Sequence, residues 1–378
     1  MEFGWTADQH SRYVKTRQAV RNEFPPRGRP REPFDRADWR TLGRLGLLGA
    51  CVGEEHGGLG LGALDTARMF EALGEECADT GLVFAASAHL FACVVPIRDH
   101  GQASPAARYL PGLCAGELIA GNAMTEPEAG SDVSRLAVTA TEVPGGYRLN
   151  GVKSFVSNAS AADVLVAYAT TDPDCGHLGQ TAFVVPADAD GVTVGEPFDK
   201  MGLRSAPAGR VTFDDCFVPA DHVLGVPGTG SAIFQHSMGW ERACLFAGYV
   251  GMTARLVERC VAHARERRQF GRRLADFQAV SHRIVDMAAR LESARLLLYR
   301  ACWEMDEGEP ARMSVALSKL AASEGAVASA LDAVRVFGAR GYLADDGIEA
   351  ELRDAVPSVL FSGTSEIQKE LVAKELGL

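Results

Sequence analysis

The chain is expected to be an α+β protein in which two helical stretches flank a β-rich middle, and three textures carry that expectation. Residues 1–119 look helical: from Asp65 to Cys77 and from Gly81 to Val95 apolar residues recur at helical spacing, with Gly pairs between segments. Residues 120–228 switch to period-two alternation and turn chemistry. Pro144-Gly145-Gly146 precedes Tyr147-Arg148-Leu149, and β-rich runs follow from Asp163 to Thr170, Thr181 to Val185 and Val211 to Val218. Residues 229–378 return to helix, where Phe277, Val280, Ile284, Met287, Leu291, Ala294 and Leu298 form one apolar stripe suited to helix-on-helix packing. Gly308-Glu309-Pro310 breaks that helix from the next. No internal repeat or low-complexity linker intervenes, so the parts are expected to pack as one unit.

Composition narrows the class. A length of 378 residues allows two or three domains of core, and 47% hydrophobic with 23% charged residues describes a soluble globular protein. The net charge of −11 argues against a nucleic-acid surface. Nine cysteines lie singly, with no CxxC or Cys/His cluster, which reads as reduced thiols in a cytoplasmic protein and no metal site. The stretch from Met1 to Asp8 lacks a basic-then-apolar signal pattern. The longest apolar run, from Gly81 to Ile97, carries Ser87 and His89 and stops at Pro96; it is read as a buried helix, not a membrane span. Arg27-Gly28-Arg29-Pro30-Arg31 reads as a Pro-rich loop between two helices in preference to a minor-groove arm. His89, alone in an apolar segment, reads as a satisfied core residue in preference to a ligand.

Three motifs carry chemistry. Thr125-Glu126-Pro127-Glu128-Ala129-Gly130-Ser131-Asp132 opens the β region, where Gly permits close backbone approach and hydroxyls face a planar polar ring edge or a phosphate. Lys153-Ser154-Phe155-Val156-Ser157-Asn158 places an aromatic and a hydroxyl two apart, on the same side of a strand. Arg267, Phe270 and Gln278 fall on the C-terminal helices, an Arg fork for a pyrophosphate and a Gln for an adenosine or ribityl group. The surrounding Arg265 to Arg273 run is alternatively a surface charge face, but its embedded Phe270-Gly271 suggests something more specific. By themselves these residues point to an anionic cofactor held between a β domain and a helical bundle, without naming it.

From Glu54-Glu55-His56-Gly57-Gly58 through the TEPEAGSD segment to the last helix, the chain resembles the acyl-CoA dehydrogenase family of flavoproteins. The resemblance implies an N-terminal helical domain (1–119), a middle β-barrel-like domain (120–228) and a C-terminal four-helix bundle (229–378). It also implies FAD at the interfaces of a homotetramer. Thr125, Gly130, Ser131, Phe155 and Ser157 then take the positions that grip the isoalloxazine, Phe155 replacing the family's Trp. Arg267 and Phe270 match the Arg and Phe that reach FAD from a neighbouring subunit, and Gln278 matches the family's Gln. Arg335, Gly338, Thr364 and Glu366 are further cofactor positions by the same likeness. Arg335 stands where the family often has Gln, and Gly338-Ala339 where it has Gly-Gly; these departures bear on the adenosine contact, not on FAD itself.

The stretch Leu360-Phe361-Ser362-Gly363-Thr364-Ser365-Glu366 resembles the family signature whose Glu is the catalytic base, yet here that position is Ser362. An unassisted hydroxyl cannot remove a thioester α-proton. In a minority of the family the base occupies the position of Glu241, within Ser237-Met238-Gly239-Trp240-Glu241-Arg242, so the base is expected to have moved there. The position alone also suits a helix-start carboxylate favoured by the helix dipole. The small residues Ala243, Ala247, Gly248 and Gly251 that follow are expected to bring this helix close to the flavin face. Trp240, Ser362 and Gly363 are the substrate-near residues, and the backbone N–H at Ser362 is expected to meet the thioester oxygen.

A narrower resemblance, carried by Ala88-His89-Leu90-Phe91-Ala92-Cys93-Val94, Ser237 to Glu241, Leu298 to Trp303 and Phe361 to Thr364, is to L-prolyl-carrier-protein dehydrogenases of pyrrole-forming nonribosomal pathways. It implies oxidation of a prolyl group held as a phosphopantetheine thioester on a peptidyl carrier protein. An acidic carrier would need a local basic patch on this acidic chain. The alternatives are an acyl-CoA dehydrogenase or an enzyme of another carrier-bound acyl group and, more remotely, an inactive FAD-binding scaffold.

Overall fold

The computed structural model describes residues 5–24 and 34–378; the Arg27–Arg31 segment and Met1–Gly4 lie outside the described residues. Six helices come first: α1 Ala7–Glu23, α2 Arg36–Arg44, α3 Ala63–Glu76, α4 Thr80–His89, α5 Val95–His100 and α6 Ala103–Ala115. Eight strands follow: β1 Ala120–Ala123, β2 Thr139–Val143, β3 Gly146–Ser157, β4 Val164–Thr170, β5 Gln180–Pro186, β6 Val192–Val194, β7 Ala208–Pro219 and β8 Val223–Leu224. Then come α7 Gly230–Trp240, α8 Phe246–Glu266, the hairpin β9 Arg268–Gln269 with β10 Arg272–Arg273, α9 Gln278–Asp306, α10 Arg312–Phe337, α11 Ala339–Tyr342, α12 Ile348–Ala355 and α13 Ser365–Glu375. The long helices α8, α9 and α10 pack on one another, with α13 along α10.

The sheet runs β6-β7-β3-β1-β4-β5-β8, and β2 shares the row of β1 by pairing with both β3 and β4. Strand β4 is buried on both faces, which is why it reads as the continuous apolar run Val164-Leu165-Val166-Ala167-Tyr168-Ala169. Leu165, Ala167 and Ala169 face a small core within the sheet, while Val164, Val166 and Tyr168 alternate into the large helical core. Phe183 and Val185 of β5 divide from Ala182 and Val184 in the same way. The sheet is therefore the common wall of two cores. Strand β1, only Ala-Gly-Asn-Ala, lacks β-branched residues and has no strand signature in the sequence.

Two expectations about helices change. The apolar helix does not stop at Pro96: helical structure runs from Thr80 to His100, almost entirely buried. A π-turn at Leu90–Val94 places Pro96 early in α5, where its missing N–H is tolerated. Phe277 lies outside α9 as its N-cap, beneath the Arg272 guanidinium, 3.8 Å from the ring centre. His89 is a satisfied core residue: Ala120 N–H donates to its Nδ1 at 3.0 Å, and Nε2 lies 3.3 Å from Leu113 O. Burial holds its pKa down to about 3.

Gly248 and Gly251 of α8 make a close contact with α3. A Cβ on Gly251 would lie 2.1 Å from Glu71 O, and one on Gly74 would lie 2.0 Å from Gly248 O, so these glycines let α3 and α8 touch backbone to backbone. Because the obstructing atoms are backbone, Gly251→Ala is expected to destabilise the protein by about 1–3 kcal/mol or more. A thermal or denaturant midpoint equal to wild type would contradict this packing.

Candidate active site

Glu241 lies at the end of α7, where a π-turn (Glu241–Leu245) joins α7 to α8. It is thus inside a continuous helical run, not at a helix start, and the dipole argument for its position lapses. The π-turn at Leu90–Val94 packs against this one. Such turns insert an extra residue and re-aim side chains, and they recur at functional sites. Glu241 is 7% exposed. Burial raises its pKa above the ordinary carboxylate range, while the Ser362 hydroxyl and the Arg242 guanidinium pull it down. Cys93 and Tyr168 also face it, and burial pushes both their pKa values up, so they stay protonated.

Ser362 Oγ donates to Glu241 Oε1, and Oε2 has no hydrogen-bond partner among the described residues. The serine sits at φ +55° and Gly363 at φ +85°. Arg242 Nε donates to Ser362 O at 2.9 Å, while Gln368 Nε2 donates to Ser362 O at 3.2 Å and Gly363 O at 3.1 Å. Behind the loop the Phe361 ring packs on Phe84 (4.7 Å), Phe246 (5.7 Å) and Tyr249 (6.0 Å). The Ser362 N–H has no backbone partner among the described residues. Thr364 caps α13 by accepting from Ile367 N–H at 3.3 Å, and Glu366 is exposed in its first turn. On the other flank, the Arg98 guanidinium lies 4.8 Å from the centre of the Trp240 ring. Arg98 is itself held by Cys51 O and Asp99, and Asp99 also meets His236 of α7 at 2.8 Å.

The Thr125–Asp132 segment is organised by a pair that sequence reasoning missed. Glu126 is buried and accepts from Lys153 Nζ at 2.8 Å and from Val138 N–H at 3.0 Å, and Lys153, fully buried, also donates to Met124 O. This ion pair ties the segment to β3, and Ser154 N–H adds a bond to Thr125 O. Desolvation lowers the Lys153 pKa to about 8. The outer side is open: a Cβ on Gly130 would meet nothing within 4 Å, and Ser131 is exposed. A register shift between Lys153 and Val156 and a φ of +52° turn Phe155 outward, 66% exposed, against Phe198 at 5.0 Å. Ser157 is half-buried, and its ladder partner Asn122 carries a buried Oδ1 with no partner among the described residues. Nothing in the sequence around Asn122 marks it.

A separate corner gathers the remaining candidates. Phe270 (φ +51°) and Gly271 (φ +79°) form the tight turn of the β9–β10 hairpin, which lifts the Phe270 ring to 93% exposure. Arg267 ends α8, and Gln278 opens α9. His263 stacks on Phe337 at 4.2 Å, bringing the end of α10 beside the end of α8. Arg335 donates to Asp332 at 3.3 Å, and Gly338 turns the chain at φ +62°. Among the described residues no hydrogen bond or ring contact links this corner to the Thr125–Phe155 surface of the same chain. The structure joins Glu241, Trp240, Ser362 and Gly363 in one site, Thr125, Gly130, Ser131, Phe155 and Ser157 on a second surface, and Arg267, Phe270, Gln278, Arg335 and Gly338 in a third. Ligand-group clusters of His, Cys, Asp and Glu are absent among the described residues.

A buried carboxylate of raised pKa engaged by a hydroxyl is the mark of an acid–base enzyme site. Family signatures agree. The acyl-CoA dehydrogenase N-terminal, middle and C-terminal domains match residues 6–117, 121–216 and 228–377. The chain belongs to the acyl-CoA dehydrogenase family. It is 52% identical over 372 residues to an L-prolyl-[peptidyl-carrier protein] dehydrogenase of Pseudomonas fluorescens, covering 98% of this chain and 93% of that one. A Serratia protein of the same description is 46% identical over 340 residues, 90% of this chain and 88% of that one. A solved structure described as "PigA with FAD and proline" superposes with TM-score 0.96 at 41% identity, covering 100% of both chains.

Breaking one side of a buried ion pair costs about 3–5 kcal/mol. Glu126→Gln is therefore expected to lower the unfolding free energy by that order, while Glu126→Gln with Lys153→Met recovers much of it. A denaturant titration in which the double variant is as unstable as the single one would refute the pairing as the cause.

Proposed function

We propose that this chain is a cytoplasmic, homotetrameric, FAD-dependent dehydrogenase of a prolyl thioester carried on a peptidyl carrier protein, leading towards the pyrrolyl-2-carboxyl thioester. The observation that carries the reading is the buried Glu241 carboxylate, hydrogen-bonded to the serine that stands where most of the family keeps its base. The names of the two relatives and of the solved neighbour support the substrate and the cofactor. Nine free cysteines accord with a reducing compartment.

The residues fit FAD. Phe155 offers a ring face, the open Gly130 permits close backbone approach, and Thr125, Ser131, Ser157 and the unpartnered Asn122 Oδ1 supply polar contacts to an isoalloxazine edge. The Phe270 ring projects 93% exposed from its hairpin, edge-on to Phe277, and Arg267 caps α8 just before the hairpin, which suits contact with the FAD of a neighbouring copy. Gln278, Arg335, Gly338, Thr364 and Glu366 complete the proposed set. When bound, FAD supplies a two-electron acceptor for the hydride that leaves the prolyl β-carbon.

The chain's own residues handle the proton and the developing charge. Glu241 Oε2 accepts the α-proton, and the electron pair of the broken Cα–H bond becomes the new double bond. A carboxylate whose pKa is raised by burial is matched to that task. The Ser362 N–H donates to the thioester oxygen as enolate character grows. Reaching the pyrrole would take a second two-electron oxidation, favoured by aromaticity, and reoxidised FAD would be needed to accept it.

FAD is expected to co-purify, and Arg267→Ala to lose it more readily than Arg273→Ala. Arg273 is held by Asp276 at 2.9 Å, whereas the Arg267 guanidinium has no partner among the described residues. Equal retention in the two variants, measured by flavin absorbance after dialysis, would point to a general charge effect. Glu241→Gln is expected to slow anaerobic flavin reduction by prolyl-carrier protein by about 10²–10⁴-fold with FAD still bound. Reduction at nearly wild-type rate would remove Glu241 from the mechanism. Reduction by short acyl-CoAs in preference to the carrier-bound prolyl group would overturn the substrate.

A further inference from the structure

We propose that Ser362 is a positioning residue for the base: its hydroxyl, presented by a loop held in a left-handed conformation, engages Glu241 Oε1 and leaves Oε2 aimed at the substrate. The hydroxyl is more than a remnant of a lost carboxylate, and the inference rests on Glu241 being the base.

Four features over-determine the loop. Ser362 occupies φ +55°, uncommon for a residue with a side chain and found at sites where the surroundings enforce it. Its carbonyl accepts from both Arg242 Nε and Gln368 Nε2, so the residue following the base and a residue of α13 clamp one oxygen. Gly363 at φ +85° permits the turn, and a Cβ there would lie 2.8 Å from Gln368 Nε2. Phe361 is wedged against Phe84, Phe246 and Tyr249. With the backbone fixed on both sides, the serine side chain points at Glu241, and Glu241 has no other hydrogen-bond donor among the described residues. A hydroxyl donating to a carboxylate favours its ionised form, which is the form that takes the α-proton.

The charged and titratable groups around the pair are few. Arg242 is beside Glu241 on the same helical run, Cys93 faces it from the π-turn at 90–94, and Tyr168 faces it from β4. Lys319 and Arg312 of α10 face Arg242, and Glu366 of α13 faces Lys319. Burial keeps Cys93 and Tyr168 protonated, so they do not add an acid limb. The sign then follows. Removing a donor to the carboxylate raises the pKa of the base, and the acid limb of the rate profile moves to higher pH.

The test compares Ser362→Ala with Ser362→Gly in the holoenzyme. Glycine relieves the left-handed backbone and alanine does not, while both delete the hydroxyl. Two readouts are taken: the pH profile of anaerobic flavin reduction by prolyl-carrier protein, and an infrared titration of the Glu241 carboxyl band, identified by its absence in Glu241→Gln. Both variants are expected to move the acid limb and the infrared midpoint upward by about one pH unit, the size of a hydrogen bond to a charged group. An infrared midpoint unmoved in either variant overturns the proposal, and so does an unmoved acid limb. Failure of the base assignment is distinguishable, because Glu241→Gln would then reduce its flavin at wild-type rate whatever Ser362 does. In that event the positioning role falls with it.

Discussion

Strand β4 has no solvent-facing side, and the geometry of the candidate site descends from that constraint. One face of the strand packs into the small core of the sheet, and the other sends Tyr168 into the helical core beside Glu241. In register with β4 runs β1, whose chain continues directly into Thr125 and Glu126. A single strand therefore sets where the proposed base stands relative to the segment proposed to hold the cofactor. A charged residue on either face of β4 would have to be buried in one of the two cores, at a cost that folded proteins rarely bear.

The proposed base, Glu241, illustrates how opposing terms are balanced. Desolvation alone would drive Glu241 towards the neutral acid, useless for taking a proton. A full ion pair in contact would fix it as an unreactive anion. The structure lies between these limits, with a neutral hydroxyl donor on one oxygen and the Arg242 guanidinium turned to the Ser362 carbonyl. The cation thus holds the loop while its charge also favours the ionised carboxylate. Two adjacent π-turns make room for this arrangement, each displacing the helix by one residue where the site requires it.

A comparable division of labour organises the cofactor side. The Glu126–Lys153 pair works from within, hidden from any ligand, and leaves the outer face of the segment open at Gly130 and Ser131. Phe155 and Phe270 are both held at positive φ and both remain exposed, an expensive conformation combined with an expensive exposure. That combination makes sense for side chains whose proposed partners are a cofactor and a second copy of the chain.

The helix–sheet–helix order, the apolar stripe of α9 and the buried character of the Thr80–His100 helix were all legible in the sequence, and so were Glu241 as a carboxylate and Ser362 in the place of the family's Glu. Each depends on residue type and local period, which a linear reading preserves. The short strand β1 and the glycine contacts between α3 and α8 were not, because Ala, Gly and Asn carry no periodic signal of their own, and the π-turns lie in stretches whose residue types are those of ordinary helix. Glu126 and Lys153 stand 27 residues apart, and Glu241 and Ser362 stand 121 apart. Both members of each pair are plain in the sequence as residue types, but a hydrogen bond depends on distance and direction in space. Sequence by itself determined which chemical groups this protein possesses and the order of its elements. Only the tertiary structure decided which of those groups meet, since burial and backbone geometry are properties of the packed whole.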